Sequence, residues 1–223
     1  MLFRSRRAEG GAEAETLDAV RRRGPQTLRH YWQAISQNDY EWLARQASPA
    51  VAVARALPDT SPDGRQAKGW VKLIIIPQSQ DPQPQPTFEL RRAVRAYLAR
   101  RVPATVSQHL YVTGPDYLPV SVAAVVAPKV PAQAGPVLDA VRQALGAFFH
   151  PLTGGPDGTG WPFGRDVYLS DVAARLEALP GVDYIQTLML LLAGTPQGEA
   201  VPVPADRIVV AGLMRLSLTG SER

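Results

Sequence analysis

Cysteine is absent from the sequence, and histidine occurs only three times in 223 residues. Without thiols the chain forms no disulfide and offers no thiolate to a metal, which excludes a disulfide-stapled secreted scaffold and a cysteine zinc site. His30, His109 and His150 lie far apart and form no HxxxH or HExxH pattern. We therefore predict that the protein holds no metal and no cofactor.

Long apolar runs are also missing. The longest, around residues 185–193, is interrupted by Gln186 and Thr187 and falls far short of the roughly 20 residues that a membrane helix needs. The opening MLFRSRRAEGGAEAE lacks the apolar segment of a secretory signal. We expect a soluble chain that is made in the cytoplasm and does not insert into a membrane.

The net positive charge of the chain lies almost entirely in its N-terminal residues. The formal net charge is +4, and residues 1–30 carry seven arginines against four acidic residues, so the rest of the chain is nearly neutral. Arginines in such an arm can contact phosphate. We interpret them as part of a solvated tail.

Apolar periodicity and turn residues predict alternating helices and strands. Ser36 and Asp39 form a capping-box pattern, and Tyr40 opens the apolar face of the helix that follows. Thr87 and Ser170 are expected to cap two later helices. The predicted elements are helix 37–47, strands 51–57 and 70–76, helix 88–101, strands 106–112 and 117–127, helix 136–149, helix 170–179, and strands 182–192 and 207–218.

This order predicts an α+β fold, with antiparallel sheets, helices packed on one side, and two small sandwich-like subdomains. We expect a basic arm with a short helix over residues 1–35, an α+β domain over 36–149, and a connector with a C-terminal α/β subdomain over 150–223. Inside the α+β domain, the proline-rich segment 77–86 is typical of an extended polyproline spacer with no packing face.

The most unusual stretch is HPLTGGPDGTGWPFGRDVYLSDV at residues 150–172, which contains five glycines. A phosphate-binding loop is not indicated, because the stretch follows a helix, contains no lysine, and carries Pro156 and Pro162, which lack N–H donors. Its aspartates do not have the alternate spacing of a calcium-binding EF-hand loop. We therefore predict a rigid connector and not a ligand site.

In this connector, glycine permits turns with positive φ. Trp161 and Phe163 are the expected anchors, and Arg165 is expected to bind a carboxylate or backbone carbonyls. Two alternatives remain for the anchors. They bury either in their own domain or in a partner protein.

No catalytic pattern is recognisable in the sequence. A GxSxG nucleophile elbow is absent, and Ser170 followed by Asp171 is typical of a helix cap. We predict no enzyme activity and no small-molecule substrate. Five arginines lie on the polar face of the helix over Glu89–Arg101, but no aromatic residues interleave with them as a nucleic-acid stacking platform requires. A protein interface is at least as good a use for them, since arginine is enriched in interfaces.

An ordered series of motifs resembles the baseplate J-like family, the wedge proteins of contractile phage tails and of extracellular contractile injection systems. The resemblance covers nearly the whole chain from about residue 14 and corresponds to the C-terminal portion of longer family members. Its most specific parts are GWPFGR, which includes Gly164, and the later PGVD. The matching stretches are AETLDAVRRRGPQTLR (14–29), AISQNDYEWLARQAS (34–48), VAVARAL (51–57), WVKLIIIP (70–77), VRAYLARR (94–101), LYVTGPDYLPVSV (110–122), the segment from 148 to 172, and LEALPGVDYI (176–185).

The resemblance implies a structural wedge subunit that assembles in the cytoplasm and then forms part of a tail-like particle or virion. The implied partners are other wedge subunits, central hub and spike proteins, and the sheath-initiating baseplate protein. Two alternatives stay open: a nucleic-acid-binding module that uses the arginine arm and the Glu89–Arg101 helix, and an enzyme acting on carbohydrate or peptidoglycan. The residues expected to hold the structure or an interface are Trp161, Phe163, Gly164, Arg165, Asp39 and Tyr40.

Overall fold

The structure, a computed structural model, describes Thr16 and residues 33–131 and 134–219. The predicted short helix of the arm falls outside these ranges, Thr16 apart. The described helices are α1 (Gln37–Ala47), α2 (Phe88–Ala99), α3 (Ala104–Ser107), α4 (Ala134–Phe148) and α5 (Leu169–Glu177). The described strands are β1 (Val51–Thr60), β2 (Gln66–Pro77), β3 (Leu110–Thr113), β4 (Asp116–Pro128), β5 (Val167–Tyr168), β6 (Val182–Leu192), β7 (Thr195–Pro196), β8 (Ala200–Val201) and β9 (Arg207–Leu218).

The predicted α+β fold is confirmed, but the sheets are mixed and not wholly antiparallel. One sheet has the order β1-β2-β3, in which β2 is antiparallel to β1 and parallel to β3. The larger sheet has the order β7-β6-β4-β9, in which β4 is antiparallel to β6 and parallel to β9. A third, two-stranded sheet pairs β5 with β8.

The first core lies where α1 and α2 pack on the three-stranded sheet. The predicted capping box is present, because Ser36 Oγ accepts from the Asp39 backbone N–H at 3.4 Å and the Asp39 carboxylate accepts from the Ser36 N–H at 2.6 Å. Thr87 caps α2 as predicted, accepting from the Leu90 N–H at 3.2 Å. Leu43 of α1 and Val94 of α2 are fully buried in this core.

The second core lies between α4, α5 and one face of the larger sheet. Val120, Val122 and Val126 of β4 are buried at alternate positions, as expected for a strand with one face covered. Leu145 of α4 and Leu176 of α5 are fully buried against them. β4 is the central strand of this half, since it contacts β6 on one side and β9 on the other.

Strand β2 is buried on both faces, which explains its continuous apolar run. Leu73 and Ile75 belong to the first core, whereas Ile76 belongs to the second. Lys72 interrupts this run, and its buried ammonium lies 4.0 Å from a carboxylate oxygen of Asp116 and 3.9 Å from one of Asp206. One face of β2 therefore packs in the first core and the other face packs in the second.

The first core ends with β3, and all but one of the buried residues of the second core lie in β4 or later. β4 and α4, which the sequence groups with residues 36–149, pack with the C-terminal elements in the second core. The reason is the pairing of β4, whose partners β6 and β9 come much later in the chain. Local periodicity carries no information about such distant pairing.

The proline-rich segment 77–86 was predicted to have no packing face, and this was wrong. Pro84 and Pro86 are buried. The Tyr117 hydroxyl donates to the Pro84 carbonyl at 2.6 Å, and Gln85 Nε2 donates to the Pro115 carbonyl at 3.1 Å. The segment is thus fastened to the start of β4, and burial of Tyr117 raises the pKa of its phenol, with the charge of Asp81 adding to the effect.

Two local predictions also need correction. The strand expected over 106–112 is a short helix over Ala104–Ser107 followed by β3 at Leu110–Thr113. Ser170 does not cap α5, because that helix begins one residue earlier and Tyr168 occupies the N-cap position without a side-chain hydrogen bond.

Candidate functional site

Trp161 of the connector is buried in the second core, with 2% of its surface exposed. Its indole Nε1 donates to the Phe148 carbonyl at 2.8 Å. Its ring stacks on Phe149 at 6.1 Å with an interplanar angle of 10°, and meets the Phe148 ring edge-on at 5.4 Å. Of the two alternatives for this anchor, burial in its own domain is the one observed.

Backbone contacts explain two of the connector glycines. At Gly154, a Cβ would collide with the Phe148 carbonyl oxygen and lie 2.6 Å from that of Ala147. The turn there closes the end of α4. Gly164 has a φ of +71°, and a Cβ would lie 2.9 Å from the Cα of Ala205. Glycine is therefore required at Gly154 because the backbone approaches closely there, and at Gly164 because of its positive φ and the lack of space for a Cβ.

The remaining predicted anchors contact the second core or the connector itself. Phe163 is partly buried against the core. Arg165 binds a carboxylate, with Nη1 at 3.3 Å from Asp157 Oδ2, but both side chains are substantially exposed. Such a surface pair contributes little stability. Asp166, which the sequence analysis did not single out for this role, fixes the connector by accepting from the Val203 N–H at 2.8 Å.

Asp39 and Tyr40 lie in the first core and have no part in the connector. Asp39 is buried at the start of α1, where its carboxylate also accepts from the Ile35 N–H at 3.0 Å. Burial raises the pKa of the Tyr40 phenol above its ordinary value of 10.0, and the charge of Asp39 raises it further. The six predicted residues therefore belong to two separate structural clusters and do not form one site.

A groove of about 450 Å³ opens beside the first turns of α2, next to β3 and the β1–β2 turn. Two of its aromatic side chains are unusually open to solvent: Phe88 is 65% exposed and Tyr111 is 37% exposed. We call this surface the arginine groove; its main lining side chains are Trp70, Phe88, Tyr111, Arg91, Arg92 and Arg95.

The arginines of the groove are held in different ways. Arg95 Nε donates to the Leu110 carbonyl at 3.1 Å, which holds its side chain against β3. Arg91 and Arg92 make no ion pair or side-chain hydrogen bond in the described part of the chain, and Nε of Arg91 is buried without a hydrogen-bond partner. The sequence pattern indicates these arginines but not the groove, because sheet pairing brings Trp70 and Tyr111 beside them.

The described residues contain no metal-binding cluster and no helix that could span a membrane. Within 33–131 and 134–219, no three histidine, aspartate or glutamate side chains are grouped so that they would hold a metal ion. No helix in those ranges has the length and apolar character to cross a bilayer.

The described residues form an α+β fold with a buried tryptophan in the connector and an open groove lined by arginines. The same fold occurs in a chain of the cryo-EM structure of the anti-feeding prophage (AFP) baseplate, 6-fold symmetrised. The match has a TM-score of 0.69 at 19% sequence identity and covers 89% of this chain and 42% of that chain. This chain therefore spans less than half the length of the one that it matches. No protein-family model and no curated protein sequence matches it.

Proposed function

We propose that the chain is a structural component of the baseplate of a contractile injection system or phage tail-like particle, and that it acts through protein–protein contacts. The shared fold with a chain of the AFP baseplate carries this proposal, because the likeness extends over 89% of the chain. The order of the sequence motifs supports the same conclusion independently of the coordinates.

Within such a particle we assign the chain to the wedge, as the baseplate J-like resemblance implies. Its contacts would be with neighbouring wedge subunits, the hub and spike, and the sheath-initiating protein. The burial of Trp161 supports a structural role for the GWPFGR block, which stabilises the fold of the subunit. Contacts with partners are then made by other surfaces.

The internal fastenings of the chain suit a subunit that docks as a rigid body. The connector is fixed to the loop before β9 by the 2.8 Å bond from the Val203 N–H to Asp166. The proline-rich segment is fixed to β4 by the 2.6 Å bond from Tyr117 to Pro84. Preorganised segments lose less conformational entropy on association, which strengthens binding without added contacts.

Co-purification tests the assignment. The tagged full chain would be co-expressed with the wedge, hub and sheath-initiating proteins encoded beside it, each in turn and together. We expect it to be retained in a stable complex with at least one of them, and particles assembled without it to lack a complete baseplate. A well-folded chain, checked by circular dichroism, that binds none of these proteins would contradict the proposal.

A further inference from the structure

The arginine groove combines two features that are typical of an interaction surface. Its aromatic wall exposes large apolar side chains, and contiguous exposed apolar surface commonly marks an interaction site. Its other wall carries guanidinium groups beside that apolar surface. At about 450 Å³ the groove is of the size that binds one ligand or a short peptide segment.

The guanidinium groups of the groove have unused hydrogen-bonding capacity. Arg91 and Arg92 have no carboxylate partner among the described residues, and the buried Nε of Arg91 has no acceptor. A buried donor without an acceptor costs free energy, which an incoming acceptor would recover. The acidic residue of the adjacent turn, Asp63, is already paired with Arg65 at 3.3 Å.

The position of the groove adds to its preference for an anion. Arg91 lies in the first turn of α2, where the helix dipole places partial positive charge, and Arg92 and Arg95 follow in the second turn. Glu89 is the acidic residue in that turn, but it does not line the groove. Charge complementarity therefore favours a carboxylate, and the aromatic wall favours an apolar side chain next to it.

We propose that the arginine groove binds a segment of a partner protein in which one or two carboxylates stand beside a large apolar side chain. The carboxylates accept from Arg91 and Arg92, in the paired geometry that guanidinium groups offer. The apolar side chain packs on Phe88 and Tyr111. This proposal goes beyond the baseplate role and does not depend on which assembly the chain joins.

The test uses the full chain and an array of 12-residue peptides that pair Asp or Glu with Leu, Phe or Trp at varied spacings. Matched peptides carry Asn and Gln in place of the acids. We expect acidic apolar peptides to bind and their amide versions not to bind. We expect Arg91→Gln with Arg92→Gln to weaken binding about tenfold or more, as for lost hydrogen bonds between charged groups. The control, Arg100→Gln with Arg175→Gln, removes the same charge from exposed positions outside the groove and is expected to bind normally.

A second variant separates this proposal from nucleic-acid binding by the same arginines. Phe88→Ser removes an exposed apolar side chain and leaves every guanidinium in place. It is expected to weaken peptide binding severalfold and to leave binding to a DNA duplex, if any is measured, unchanged. Binding of DNA but of no peptide, lost in the Arg91 and Arg92 variant, would overturn the proposal. So would an array on which no acidic apolar peptide binds to the folded chain.

Discussion

Replacing Trp161 by alanine is expected to lower the free energy of unfolding by about 3–5 kcal/mol, the range for removing a buried large aromatic side chain. The structure supports a value within this range. The ring is 2% exposed and contacts both Phe148 and Phe149, so its loss leaves a cavity at the end of α4. Loss of the indole donor adds about 1 kcal/mol or less.

Trp161→Phe separates the hydrogen bond from the ring. The Phe148 carbonyl also accepts from the Gly155 N–H at 2.7 Å, so it keeps one partner when the indole is removed. The phenylalanine variant is therefore expected to lose only about 1–2 kcal/mol, mostly from the smaller ring and the one missing bond. Urea unfolding followed by far-ultraviolet circular dichroism measures both changes without using tryptophan fluorescence.

Phe88→Ala is the matched control, because Phe88 is 65% exposed and its removal is expected to alter stability by only about 0.5 kcal/mol. A free energy of unfolding for Trp161→Ala within about 1 kcal/mol of that of the unaltered chain would contradict a structural role for the buried ring. If that variant also failed to assemble with its partners, the tryptophan would be an interface residue after all.

Three further changes test other parts of the fold. Lys72→Met is expected to alter the free energy of unfolding by less than about 1 kcal/mol, because it removes a buried charge and the nearby carboxylates remain solvated. A loss above about 3 kcal/mol in urea unfolding would show that the ion pair stabilises the fold. Gly164→Ala is expected to cost more than Gly158→Ala, because both have positive φ but only Gly164 would meet another backbone; equal midpoints on thermal unfolding would contradict this. Burial raises the pKa of Tyr117, so the folded state holds its proton and stability falls as pH rises above the ordinary value of 10.0; Tyr117→Phe should reduce that slope, and an unchanged slope in unfolding measured from pH 9 to 12 would refute it.

Short-range patterns in the sequence predicted much of the local structure. The spacing of Ser36 and Asp39 predicted the capping box, and Thr87 predicted the cap of α2. Such features depend on residues three or four positions apart, so the sequence contains the whole interaction. The composition of the connector also indicated Trp161 as an anchor, and Trp161 is buried in the second core.

The features that the sequence did not predict depend on pairing between strands that are far apart in the chain. Ser121 of β4 accepts from the backbone N–H of Leu213 in β9, across 92 positions of the chain. That pairing places β4 in the second core. Similarly, the arginine groove exists because Tyr111 lies opposite Lys72 in the parallel β2–β3 pair. Amphipathic periodicity placed the arginines on a polar helix face, but it gave no account of what lies beside that face.

The sharing of β2 between the two cores has a mechanical consequence. A tensile or shearing load on one half is expected to pass to the other through β2, because Leu73 and Ile75 pack in the first core while Ile76, in the same strand, packs in the second. Unravelling one half would expose side chains of the other, so both are expected to give way together in a single cooperative event. We expect a chain built in this way to transmit displacement instead of bending.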